Sequence, residues 1–384
     1  MTPSTRPAPT PVVSPVPRAV WREVMDADPD ATATQAPEWM DCLAARGCTD
    51  RSRLYVLPDG RRLVLPVAAR AVGGLAVTEQ SWPYGWGYGG ALVEGGELDE
   101  ESCRLVLDDL ARSRAVLAGV TPMPLRGAVW DAAAGPRVRR VHYTSHVIDL
   151  ADGWDALWTT GFRRQARNSV RKAERFDLEV RREDGTVAAG PGGRGLAIFA
   201  DLYAQSVDRW ATQRGQPLAI ARRLAARRDR PGQVAAAAAA LGERCAVWSV
   251  LRAGEPVAVN VTLDTPGHAI GWMCAMDDRL ARETLATYLI HSLSLRDACE
   301  RGVRWFHMGE SDAGSNGGQF KGYFGAVPCE YAALRLERLP LARAERGARA
   351  AYGALSSAQS AVRSARSSLR SAVRTPLALR RAQP

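Results

Sequence analysis

The chain has 384 residues, 46% of them hydrophobic and 24% charged, which is the composition of a globular protein with room for two domains. Its longest apolar run, Val234 to Leu241, is far short of the roughly 20 residues that span a bilayer, and the opening residues lack the apolar core of a signal peptide, so a cytoplasmic protein is expected. The net charge of +10 does not mark the whole body as a nucleic-acid binder, because nine arginines against one acid lie from residue 341 onward and leave the rest nearly neutral. Seven cysteines without a C-x-x-C pair argue against a disulfide framework or a zinc site, and no metal is expected.

Residues 1–18 hold six prolines and no periodic apolar pattern, the signature of a disordered leader. A helix is predicted around Pro37 to Arg46. Two alternating strands follow about a Pro-Asp-Gly turn, then a strand near Leu75 to Glu79, the loop "QSWPYGWGYGG", a helix from about Leu98 to Leu117, and a strand in "VRRVHYTSHVIDL". The second half opens with a helix from about Asp155 through "FRRQARNSVRKAER", then a strand at Asp177 to Arg182 and a helix over Leu196 to Arg214. Three alternating runs, "RCAVWSVLRA", "PVAVNVTLD" and "HAIGWMCAM", read as an antiparallel meander. A long helix from about Leu280 to Arg301, the strand "VRWFHMG", a glycine-rich loop and the strand "CEYAALRLER" complete the body. The fold class expected is α/β with mixed sheets, divided at residues 19–150 and 151–340. In the tail, 341–384, Leu355, Ala358, Val362, Ala365, Leu369 and Val373 follow helical spacing beside Arg363, Arg366, Arg370 and Arg374, a weakly apolar basic helix suited to an anionic membrane face.

Four features bear on chemistry. "GWGYGG", Gly85 to Gly90, satisfies G-x-G-x-x-G, but no helix opens from its last glycine and no lysine precedes Lys172, so both nucleotide readings fail. What remains is Trp82, Tyr84, Trp86 and Tyr88 on glycine hinges, a surface for a sugar or peptide. In "FRRQARNSVRKAER" the cations Arg163, Arg164, Arg167 and Arg171 form a stripe, joined by Lys172 and opposed only by Glu174, a candidate phosphate-binding face. "GESDAGSNGGQFKGYFG" contains Lys321, one of two lysines in a chain that otherwise uses arginine 49 times. It is read on a short turn between Phe320 and Phe324. An ammonium there suits one developing oxyanion, where a planar guanidinium prefers two oxygens. Glu310 or Asp312 would help remove a proton. The five histidines show no metal or catalytic spacing, and no serine nucleophile elbow occurs.

The elements "R-x-x-R-x-x-x-R-K-A", "F-H-M-G-E-S-D … F-K-x-x-F-G-A" and "Y-G-x-G-Y-G-G" resemble the Fem-like acyltransferases of the GNAT superfamily, over residues 20–340. The resemblance implies two tandem GNAT-like domains and makes Lys321 the functional lysine. It places Tyr84, Tyr88 and Gly89 along an acceptor groove and the stripe with Lys172 where the C-terminal domain begins; Arg163, Arg167, Arg171, Lys172 and Phe324 are the further substrate-binding candidates. One departure concerns the donor. Simple acetyl-CoA enzymes carry [QR]-x-x-G-x-[GA] at the pyrophosphate, whereas "RETLAT" from Arg282 lacks both glycines, so acyl-CoA and aminoacyl-tRNA both stay open. The expected reaction is amide formation on an amine of a peptidoglycan precursor or polysaccharide. An acetyl-CoA-dependent N-acetyltransferase of a small amine is the alternative, and a non-catalytic carbohydrate or peptide binder comes third.

Overall fold

Runs of alternating or continuously apolar residues form fourteen strands in the computed structural model, which describes residues 13–83, 85–312 and 314–339. In chain order they are β1 (Thr49–Asp50), β2 (Arg53–Val56), β3 (Arg62–Leu65), β4 (Ala68–Val72), β5 (Leu75–Ser81), β6 (Leu92–Val93) and β7 (Leu117–Val120). Then follow β8 (Arg139–Asp149), β9 (Glu179–Asp184), β10 (Cys245–Arg252), β11 (Glu255–Asp264), β12 (His268–Met276), β13 (Trp305–Glu310) and β14 (Val327–Glu337). Eleven make one mixed sheet in the order β1-β4-β5-β7-β14-β8-β13-β12-β11-β10-β9, and β2, β3 and β6 make a small second sheet. The mixed α/β class is as the sequence indicates.

One pattern occurs twice. An antiparallel hairpin (β4–β5, then β11–β12) leads into a helix (Glu100–Ala111, then Ala286–Glu300), and the next strand returns parallel to the hairpin's second strand (β7 along β5, then β13 along β12). The two halves then exchange their closing strands. β14, from the end of the described chain, lies against β7, while β8, from the first half, lies against β13. β8 and β14 pair antiparallel between them, from Val327↔Val147 to Arg335↔Arg139. The sheet therefore runs unbroken across residue 150.

Among the described residues, 13–203 and 230–338 form one compact unit holding both sheets, and 204–229 belong to a second. In the second, Asp208 and Arg222 of the helix Leu218–Arg228 form an ion pair at 2.5 Å. In the first, one apolar cluster gathers Trp21, Trp39, Trp82 and Trp86 with the helix Arg230–Leu241, and another joins Phe162, Leu295, Phe306 and Phe324. β11 is buried along nearly its whole length, on both faces, where its alternating pattern suggests burial on one.

Several elements differ from expectation. Residues 13–17 are tied to the body, through the backbone bridge of Val13 to Leu54 and the buried Val16, and a helix begins at Arg18. The predicted helix to Leu117 ends at Ala111, because 117–120 are claimed by pairing with β5 and β14. The helix expected over Leu280 to Arg301 is broken at Leu285, which takes φ +57°. The helix expected through "FRRQARNSVRKAER" is interrupted at Phe162, whose ring turns inward onto Phe324 at 5.1 Å; Arg164–Ala173 then forms a helix of its own. The helix Arg230–Leu241 was not anticipated. The rest of the leader, Tyr84 and the basic tail lie outside the described residues.

Candidate active site

β12 and β13 pair for three residues, His268–Ile270 with Trp305–His307, and then no longer with each other although β12 runs on to Met276 and β13 to Glu310. On its other side β13 shifts register against β8 between His307 and Glu310. Gly309 makes this possible, since its φ of +77° lies in the left-handed region that residues with a Cβ avoid. The strand end thereby parts from β12 while Glu310 stays paired with Ser145 of β8, its side chain exposed at the tip.

Lys321 sits on a helix, Asn316–Tyr323, and not on the turn the sequence suggested. Ser315 caps this helix: its hydroxyl accepts from the Gly318 amide at 3.1 Å and donates to the Asp312 carbonyl at 2.6 Å. The cap satisfies an amide that the glycines themselves cannot. Phe320 and Phe324 hold the helix against Tyr288 and Phe162, with ring centroids 5.0 and 5.1 Å apart. The Lys321 Nζ donates to the Gly309 carbonyl at 2.8 Å, the Glu310 carbonyl at 2.9 Å and the Ser311 hydroxyl at 2.9 Å. All three of its hydrogens thus grip this strand end, and it forms no ion pair with Glu310 or Asp312. Burial pulls its pKa down to about 8, against the opposing influence of Cys274 and Glu310.

The Glu310 carboxylate accepts a 2.5 Å hydrogen bond from the Tyr331 hydroxyl of β14. Asp312 is exposed, and it is its main chain that takes part, through Ser315. His146 on β8 and His291 on the helix Ala286–Glu300 lie close enough to Lys321 to feel its charge. Burial first and that ammonium second lower both pKa values, His291 to about 4.

The described residues of the aromatic loop do not present an open face. Trp82 donates to the Thr34 carbonyl at 2.7 Å, Trp39 to the Trp86 carbonyl at 3.0 Å, and Gln35 to the carbonyls of Gly89 and Gly90 at 3.2 Å. Tyr88 is 4% exposed, and its hydroxyl shares a 2.8 Å hydrogen bond with Ser145. Gly89 is required by close packing, because a Cβ there would lie 2.5 Å from the Ser81 carbonyl. Tyr88 reaches the site by its edge, 6.1 Å from Tyr331. These loop residues are mainly packing.

Residues 160–322 match the family model of the acetyltransferase (GNAT) domain. The chain carries a GNAT acyltransferase domain. Among solved structures it is similar to FemX at 12% identity, over 85% of this chain and 97% of that one, with a TM-score of 0.60. It is also similar to a conserved protein of unknown function from Bacteroides thetaiotaomicron at 13% identity, over 85% and 99%, with a TM-score of 0.51. Both likenesses concern the fold. No curated protein matches the sequence.

The GNAT fold generally uses acyl-CoA. At the position of the first missing pyrophosphate glycine, Leu285 takes φ +57°, the left-handed region that glycine enters most readily. The basic stripe divides in two. Arg167 turns back and donates to the carbonyls of Trp158 at 3.3 Å, Thr159 at 2.9 Å and Phe162, closing the exposed end of the preceding turn. Arg163, Arg164 and Lys172 are exposed without an acid partner, and Arg171 lies 5.7 Å over the Trp158 ring. The Arg163 amide donates to the Tyr323 carbonyl at 2.8 Å, which ties the stripe's start to the Lys321 helix.

Sequence reasoning missed Tyr331, Ser145, His146 and a buried histidine pair. His268 Nδ1 and His307 Nε2 are 2.9 Å apart, with Asp30 at 3.5 Å from His268 Nε2. No sequence spacing marks these groups, since β12 and β13 meet only in the sheet. Among the described residues, no group of three potential metal ligands occurs.

Proposed function

We propose that this protein transfers an acyl or aminoacyl group from an activated donor to an amine of a cell-envelope precursor or polysaccharide, forming an amide. The observation that carries this reading is the joint placement of the Lys321 ammonium and the Glu310 carboxylate at the end of β13 in a GNAT domain. Glu310 takes the proton from the attacking ammonium as it becomes an amine. Lys321 keeps two hydrogens on backbone carbonyls and offers the third, now on Ser311, to the oxygen of the tetrahedral intermediate. Proximity of donor and acceptor supplies much of the remaining acceleration.

The likeness of fold to FemX supports an envelope acceptor, and the GNAT fold supports acyl-CoA as one donor class, with aminoacyl-tRNA as the other. Arg163, Arg171 and Lys172 serve phosphates of donor or acceptor, and Tyr88, Gly89 and Phe324 support the acceptor side by packing. Residues 19–150 and 151–340 act as two tandem modules joined by their exchanged strands. The basic tail holds the protein at an anionic membrane face, where lipid-linked precursors reside.

Mass spectrometry of reactions offering acetyl-CoA or charged tRNA with muropeptide precursors tests the assignment. Transfer to a precursor amine is expected. Transfer only to small free amines would favour the N-acetyltransferase alternative, and no transfer from either donor would leave the chain a binder.

A further inference from the structure

Glu310 is the last residue of β13 and its side chain is exposed, so nothing in its own strand fixes where its carboxylate points. Two outside groups do. Lys321 grips the main chain on both sides of it, at the Gly309 and Glu310 carbonyls, and Tyr331 grips the carboxylate.

Tyr331 reaches it from a strand that is not its neighbour. In the sheet, β8 lies between β13 and β14, and Ser145 of β8 is paired with Glu310 on one side and Cys329 on the other. The two outer strands are then about 9–10 Å apart, two strand spacings, a gap that only a long side chain can cross. The phenol ring is held rigidly for the task. It is 4% exposed, sits edge-on to Tyr88 at 6.1 Å and against Tyr143 at 5.8 Å, and its Cβ packs so tightly on Gly127 that a Cβ there would approach to 2.6 Å. The intervening Ser145 hydroxyl is bonded to Tyr88, which leaves the Tyr331 hydroxyl to the carboxylate.

Burial and the nearby Tyr88 and Glu310 drive the phenol's pKa far upward. Tyr331 therefore keeps its proton throughout the working range and acts as a fixed donor, not as a base.

We propose that Tyr331 is the positioning residue for Glu310: its hydroxyl holds Oε1 and so presents Oε2 to the acceptor's ammonium. This rests on the acyltransfer reading above. In that step the acceptor ammonium gives one proton to Oε2, the new C–N bond forms, the acyl–sulfur or acyl–oxygen bond breaks, and the amine's second departing proton leaves with the thiol or hydroxyl. Glu310 then sheds its proton to water.

Tyr331→Phe keeps the ring and removes the hydroxyl. With the donor and acceptor that the wild-type chain turns over, it is expected to lower kcat about tenfold, leave the acceptor KM within twofold, and leave the melting temperature unchanged. Glu310→Gln should lower kcat more, and the double variant should be no slower than Glu310→Gln alone, because a positioning group has nothing left to position. A wild-type kcat in Tyr331→Phe, or the same tenfold loss in the Glu310→Gln background, overturns the proposal. Full turnover in Glu310→Gln instead overturns the base assignment beneath it, so the two failures are distinguishable.

Discussion

At the scale of single residues, Lys321 shows how a rare residue type becomes legible. A lone lysine in an arginine-rich chain draws attention, but the sequence leaves open what the ammonium touches. Its three partners are two backbone carbonyls and a hydroxyl, so its compact tripod geometry matters as much as its charge. Lys321→Ala should lower turnover by about 2–4 kcal/mol of barrier, the range for losing one oxyanion donor, and Lys321→Arg should restore only part of it. With a pKa of about 8, the ammonium is lost as pH rises through that value, so the wild-type rate at saturating acceptor should fall above pH 8. A rate still climbing at pH 9.5 would count against the charged form. His307 gives a test of stability. Burial holds its pKa well below the ordinary value, so the unfolded chain binds a proton near pH 6.5 that the folded chain refuses. Stability should therefore be complete above about pH 6.5 and decline below it by up to about 1.4 kcal/mol per pH unit from this group. Denaturant melts at pH 7, 6 and 5 should show the decline, and His307→Gln should make it shallower by this group's share, leaving the part due to His146 and His291.

Elements decide which member of a charged stripe is available. Arg167 and Arg171 are one helical turn apart and look equivalent in sequence, yet the interruption at Phe162 exposes carbonyls that only Arg167 can reach. Arg167→Ala leaves those carbonyls without a charged donor and should cost about 1–3 kcal/mol of folding stability, measured by denaturant titration. Reversing Arg171 and Lys172 to Glu should hardly move stability but should raise the substrate KM, with wild-type binding weakening as salt is added. Equal KM values for that variant and the wild type at low salt would return the two cations to the role of a solvated face. The break at Phe162 had only Gly161 just before it as a sequence signal, and packing fixes it: Gly325 approaches so closely that a Cβ there would lie 2.9 Å from the Gly161 carbonyl.

Over the whole molecule, the exchange of β8 and β14 makes each half complete the other's sheet. The repeat of hairpin, helix and parallel strand emerges only in the fold, since 117–120 read as the end of a helix, and the exchange was not legible either, since it pairs segments about 190 residues apart. The tail belongs to this scale as well. A chain ending at Pro340 should keep its rate on soluble substrates and lose flotation with anionic liposomes, while the full chain should float at low salt and be released at high salt, because an alanine-rich apolar face inserts shallowly. Failure of the full chain to float at low salt would remove the membrane role.

The sequence by itself determined the α/β class, the meander and the GNAT resemblance carried by "F-K-x-x-F-G", because periodicity, turn residues and short motifs are local properties. The tertiary structure alone decided that the described part of the aromatic loop is packed inward, that Arg167 is a cap, that Lys321 holds a strand end, and that Tyr331 meets Glu310. These depend on which strands become neighbours, and strand order is set by burial and hydrogen bonding summed over the whole sheet, which no window of sequence contains.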